Sequence, residues 1–256
     1  REMDIYYYYP GDPSALIVGK YLPFSFQRGT DIYSADGTAS TLDSPENIEA
    51  FKELTSLHTD YKLPLEDTIY TTFVNGKTPV QILQNWYYHA FEVTAPHLAG
   101  MWNISLFPGT KQRDGSIDHT NTGKMLVWSI VSSSKQKEAA WEFVKFINSS
   151  ETTVKWMNRA YESNDKARLF FSNMNSIEHA VFPEEHIALA ITALETCRMQ
   201  TAVIGGNIAN RYVDFAFNKV VLQGDDPEAA IKQAAKESTL EIQKKLKEFD
   251  RFIKDL

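Results

Sequence analysis

Residues 124 to 131, "KMLVWSIV", constrain this chain more than any other stretch. A β-strand sends successive side chains to opposite faces, and here both alternating faces are apolar, which suits a strand covered on both sides. The period then changes. The segment "SSKQKEAAWEFVKFINSSE" opens with Ser133 and Gln136 in the Ser-x-x-Gln capping arrangement and puts Ala140, Phe143, Val144 and Ile147 on one helical face. The sequence therefore predicts a strand feeding a helix, with Trp128 inside the strand as a core residue.

Other segments read in the same way. Ser44 is placed to cap a helix whose first residue is Pro45, and Ile48, Phe51, Leu54 and Leu57 recur at near-helical spacing until Pro64. Val80, Ile82 and Gln84 alternate with other residues as a short strand after Pro79. From residue 183 onward the chain reads helical: near 184 to 197, near 207 to 222 with a stop at Gly224, and from Asp226 and Pro227 to the end. Along that last helix Ile231, Ala235, Ser238, Ile242, Leu246, Phe249 and Ile253 form a stripe, expected to dock on the protein body rather than to pair in a coiled coil.

Composition removes several classes of function. A net charge of −7 disfavours a polyanionic partner, because nucleic-acid affinity rests on Lys and Arg releasing counterions from phosphates, so no nucleic acid is expected. Cys197 is the sole cysteine, which excludes an internal disulfide and a thiolate metal cluster. No apolar run approaches the roughly 20 residues that cross a bilayer. The N-terminus "REMDIYYYYPGD" has neither a charged-then-apolar leader nor an initiator methionine, and so reads as a processed or excised product of a longer chain.

Short motifs fare poorly one by one. Gly76, Lys77 and Thr78 end like a phosphate-binding loop, but Thr71 stands where the loop needs its first glycine, and Pro79 removes an N–H where a helix should leave the loop. Ser132 and Lys135 match Ser-x-x-Lys without the companion motifs of acyl enzymes. His89 with Glu92, and Glu185 with His186, lack the third ligand of a catalytic zinc, so neither a metal nor a cofactor is expected. Carboxylates are numerous, but no local signature singles out an acid and a nucleophile for glycoside hydrolysis. Asn103 and Asn148 stand in Asn-x-Ser contexts, which matter only in a eukaryotic secretory route.

The order of segments is more telling. "GTDIYSADGTASTLDSPENIEAFKEL", "FVNGKTPVQILQNW", "LFPGT", "TGKMLVWSIVSSSKQKEAAWEFVKFINSSE" and "VVLQGDDPEAAIKQAAKE" together resemble the C-terminal portion of the family 1 extracellular solute-binding proteins of bacterial ABC transporters, over most of residues 29 to 245. The resemblance implies an α/β, type II periplasmic-binding-protein-like fold: mostly the C-terminal lobe, part of the N-terminal lobe, and a helical C-terminus. It divides the chain into a C-terminal-lobe segment (1–105), a hinge crossing with a strand and helix of the incomplete N-terminal lobe (106–160), and a helical return (161–256). Thr78, Pro79, Gln84 and Asn85 depart from the family's usual residues around its aromatic segment.

The resemblance also implies a function: capture of a sugar or oligosaccharide in an interlobe cleft by the extracellular component of an importer. Permease subunits would be its partners, and a membrane-anchored lipoprotein or a periplasmic protein its form. A pyranose has C–H groups on its faces and hydroxyls at its rim, and calls for flat apolar surface edged by polar groups. Trp86 with Asn85 and Tyr87 offers both kinds. Asn121, Thr122 and Gly123 map onto the family's cleft loop, and Arg198 is a further candidate. Two other readings stay open here, a glycoside hydrolase and a protein interaction module. A strand-exchanged dimer of the fragment is a further expectation.

Overall fold

The computed structural model describes residues 7–8, 17–65, 69–123, 127–166, 168 and 173–254. In chain order the elements are β1 (Tyr7–Tyr8), α1 (Val18–Phe26), α2 (Pro45–Thr59), α3 (Ile69–Val74), β2 (Val80–Gln81) and α4 (Trp86–Thr94). They continue with β3 (Thr110–Lys111), β4 (Ile117–Asp118), β5 (Asn121–Thr122), α5 (Lys137–Ile147), α6 (Ser150–Ser163) and α7 (Met174–Ile177). The chain then forms α8 (Glu184–Glu195), β6 (Cys197–Arg198), α9 (Gly206–Asn218) and α10 (Pro227–Lys254). Among the described residues the strands form three short ladders: β1 with β2 and β5 with β6 are parallel, and β3 with β4 is antiparallel. The architecture is a helix-rich α/β one. The chain divides into two compact units, one of residues 1–82, 107–123 and 197–256, the other of residues 83–106 and 124–196.

The first unit is built around α1, α2, α9 and α10. Ser44 caps α2 by accepting from the Asn47 N–H, Pro45 occupies its first turn, and Ile48, Phe51 and Leu54 are buried as their spacing predicts. The Asp226 carboxylate accepts from the Ala229 N–H at 2.8 Å and starts α10 at Pro227. Ile231, Ala235, Ser238 and Ile242 of its predicted stripe are buried, and Leu246 is partly so. Phe249 and Ile253 are exposed. α9 runs into a π-helical stretch, Lys219–Gln223, that stops at Gly224 in a left-handed conformation. Segment 107–123 is tied to α1 by buried Gln27: its amide donates to the Pro108 and Thr120 carbonyls, each at 3.0 Å, and accepts from Thr110 Oγ1 at 2.7 Å.

Gly76 takes a positive φ of 66° after α3. The N–H groups of Gly76, Lys77 and Thr78 donate to the Phe73 and Thr72 carbonyls. They close the end of a helix instead of turning inward to cradle phosphate, which disposes of the nucleotide-loop likeness. The strand predicted next is reduced to Val80 and Gln81.

The second unit has a smaller core. Tyr88 meets Trp102, Phe182 and His186 edge-on, and Phe91 packs against Trp102. His186 Nε2 donates to the Asn103 amide oxygen at 2.6 Å, since that oxygen can only accept, and its Nδ1 lies 2.8 Å from the Tyr88 hydroxyl. His186 is thus a satisfied structural histidine. Glu92 pairs with Arg168 at 2.6 Å, and His89 Nδ1 contacts the Lys166 carbonyl. Among the described residues no cluster of His, Cys, Asp or Glu could hold a metal.

Two expectations fail in this unit. Of the predicted strand, residues 124–126 lie outside the described residues, residues 127–131 belong to no strand, and Trp128, predicted as core, is 58% exposed. A strand covered on both faces needs ladder partners and two packing layers, and the described residues of this unit supply neither. Ser133 does not cap α5 either. The helix starts after Gln136, which makes no side-chain cap bond, while Ser134 Oγ accepts from the Gln136 N–H.

Candidate functional site

The second unit carries the aromatic candidates. Asn85 sits at the N-cap of α4 without a side-chain capping bond and is exposed. Trp86 opens the helix and stacks on Tyr87, with ring centroids 3.8 Å apart and planes 26° from parallel. Its indole N–H donates to Gln84 Oε1 at 2.7 Å. Tyr87 in turn lies 5.9 Å from the ring of buried Phe91. The result is an aromatic platform held at one edge by a hydrogen bond and from below by the core, and Trp86 keeps 54% of its surface exposed. Flat apolar area of this kind is more costly to leave wet than a scattered aliphatic side chain.

The first unit carries the polar candidates, and it brings together two segments that are remote in sequence. β5 runs parallel to β6, with Asn121 opposite Cys197 and Thr122 opposite Arg198. The Gly123 N–H donates to the Arg198 carbonyl at 3.2 Å. A Cβ on Gly123 would fall 2.3 Å from Cys197 Sγ, so the close approach of the two chains requires glycine here. The same burial pushes the Cys197 thiol up from its ordinary value. The Asn121 side chain accepts from the Thr122 N–H at 2.7 Å, which fixes its oxygen and leaves its amide N–H groups as donors.

Arg198 is fastened at its base. Its guanidinium lies over the Phe26 ring at 4.7 Å, donates to the Thr30 carbonyl at 3.4 Å and stands 3.7 Å from Asp31 Oδ2. Asp31 is itself fixed by the Ile32 N–H and by the Thr201 N–H and hydroxyl. With its side chain 42% exposed and five N–H donors to place, Arg198 has capacity to bond a further acceptor. Sequence reading did not find Phe26 and Asp31, and it did not pair Gln84 with Trp86. Gln84 lies two residues before Trp86 and could have been weighed as its partner; nothing local marks Asp31, which is 170 residues from Thr201.

Residues 5–154 match the family model described as bacterial extracellular solute-binding protein. The chain belongs to that family. Its fold recurs in solved structures. An ABC transporter solute-binding protein from Thermotoga lettingae, bound with α-D-tagatose, is 20% identical with a TM-score of 0.64, covering 87% of this chain and 55% of its own. The sugar-binding protein MalE from Xanthomonas citri gives 14%, 0.66, 91% and 57%. An ABC substrate-binding protein from Listeria monocytogenes in complex with cycloalternan gives 21%, 0.61, 86% and 55%. The chain thus spans somewhat over half the length of these solute-binding proteins. Comparison with curated proteins finds no match.

Proposed function

We propose that this chain is part of the solute-binding component of an ABC importer and that its solute is a sugar or oligosaccharide. The observation that carries the reading is the platform of Trp86 on Tyr87, exposed and fixed in orientation by Gln84. A sugar ring laid on the indole buries about 100 Å², which at about 25 cal/mol/Å² contributes on the order of 2.5 kcal/mol. Tagatose, cycloalternan and maltotriose are bound in solved proteins of this fold, which supports the carbohydrate class. Asn85 would bond rim hydroxyls beside the platform, and in the other unit Arg198 and the Asn121 amide are separate donors that suit hydroxyl groups. The role is capture and hand-over to permease subunits at the outer face of the membrane, as a lipoprotein or a periplasmic protein, with no chemical step.

Incubation of the protein with a panel of tagatose, maltose, maltotriose and cyclic glucans, and then thermal shift and a reducing-end assay, tests this. A sugar that raises the melting midpoint by mass action without releasing reducing ends supports capture. Stoichiometric release of shorter sugars would establish a glycosidase instead.

A further inference from the structure

The Trp86 platform has a polar edge whose donors and acceptors the hydrogen bonds assign. An indole N–H can only donate, so the atom that takes it at 2.7 Å is the carboxamide oxygen of Gln84, and the nitrogen of that carboxamide is left to other partners. The Gln84 main chain is fixed as well, because its carbonyl accepts from the Tyr87 N–H at 3.0 Å. Held at both ends, the side chain carries its Nε2 one carboxamide width beyond the oxygen that meets the indole edge. Gln84 is exposed, and its Nε2 N–H groups bond nothing among the described residues. Neighbouring Asn85 differs: it makes no side-chain cap bond and can turn either its oxygen or its nitrogen to a ligand.

For Trp86 the consequence is the converse. Its one polar group is occupied by Gln84, so the indole offers a ligand its flat apolar face and no donor of its own. A pyranose lying on that face brings its rim oxygens out to the ring's edge, and on the side of the indole nitrogen the groups they meet are the N–H pair of Gln84. We propose that Gln84 is a specificity-determining residue of the sugar site, donating from Nε2 to one rim oxygen of a pyranose stacked on Trp86. Because the Gln84 oxygen is already taken, this edge donates and does not accept. It requires an oxygen at one position of the sugar and does not require that oxygen to carry a proton. A methyl ether satisfies it as a hydroxyl does, and a deoxy position does not. Gln84 is one of the positions at which this chain departs from the family's usual residues, so the selectivity belongs to this chain. The inference rests on the sugar-capture reading above and adds to it which groups of the sugar are read.

The experiment follows the Trp86 indole resonance while maltose, maltotriose, tagatose and cyclic glucans are titrated into the protein, and then the monodeoxy and mono-O-methyl derivatives of whichever sugar moves it most. At one ring position the deoxy sugar binds about 3- to 10-fold more weakly than the parent sugar, the net worth of one hydrogen bond, while the O-methyl sugar stays within about twofold of it. Gln84→Glu keeps an oxygen for the indole N–H and replaces the donor by an acceptor. At that same position the O-methyl sugar then falls about 3- to 10-fold below the parent sugar, with the melting midpoint unmoved. A Gln84 that only held the indole in place would leave the ranking of the two derivatives unchanged in this variant. Equal losses for the deoxy and O-methyl sugars at every position, or an unchanged ranking in Gln84→Glu, overturn the proposal and leave sugar capture standing. Titrations in which no sugar moves Trp86 overturn the sugar reading of the platform and this inference with it.

Discussion

At the scale of single residues, the buried side chains that hold the fold separate from the exposed ones we propose for a ligand. Trp86 is half exposed on top of Tyr87, so Trp86→Ala should weaken sugar binding by about 10- to 100-fold in calorimetry while barely moving the unfolding midpoint. A stability loss of about 3–5 kcal/mol with unchanged affinity would mark the ring as core. Asn47 is the opposite case. It is fully buried, and its amide donates at 2.8 Å to both the Asp31 and Thr41 carbonyls. Asn47→Leu strands both acceptors and should cost about 2–5 kcal/mol in urea titrations, with the Tyr21 hydroxyl still bonded to the Asn47 main chain. Trp86 was legible as a candidate because the family resemblance singled out an aromatic that stands beside amides; the local pattern alone suits a core residue equally well. Asp31 and Phe26, which fix Arg198, were not, because their role exists only after distant segments meet.

At the scale of elements, α2 and α10 carry the clearest consequences. His58 closes the last turn of α2 through Nδ1 and the Leu63 carbonyl and meets the Phe217 ring edge-on. Burial pushes its pKa down, partly opposed by the Leu63 carbonyl. The folded state therefore binds the proton less readily than the unfolded chain, so stability is intact above the unfolded value of about 6.5 and is lost as pH falls below it. The unfolding midpoint should drop between about pH 7.5 and pH 5.5, and His58→Gln should flatten that slope; an unchanged slope would count against this assignment. For α10, removing the residues from Phe249 onward should cost under about 1 kcal/mol, because its apolar groups there are exposed, whereas Ile231→Ala should cost about 2–5 kcal/mol. Helices with caps and one apolar face were readable from sequence: Ser44 and Pro45, or Asp226 and Pro227, set boundaries with local chemistry. The 124–131 strand was not readable to the same degree, since a strand's existence depends on neighbours that no local pattern supplies.

At the scale of the whole molecule, family membership rests on the match of residues 5–154, and the α/β solute-binding fold recurs in structures that share few identical residues. Segment order survives where single motifs do not, because each segment is a packing unit and its spacing preserves the path of the chain. On the proposed function, a chain with somewhat over half of the length of these solute-binding proteins should bind sugar at roughly millimolar concentration, about 4 kcal/mol short of a micromolar site. The most direct test tracks the five tryptophan indole N–H resonances by nuclear magnetic resonance while the oligosaccharide panel is titrated in, with Trp86 assigned through Trp86→Phe. The expected result is a saturable shift of the Trp86 resonance, half complete at roughly millimolar sugar, larger than that of any other indole. A titration that leaves Trp86 in place, or that moves only the indoles of Trp102, Trp128, Trp141 or Trp156, would contradict it.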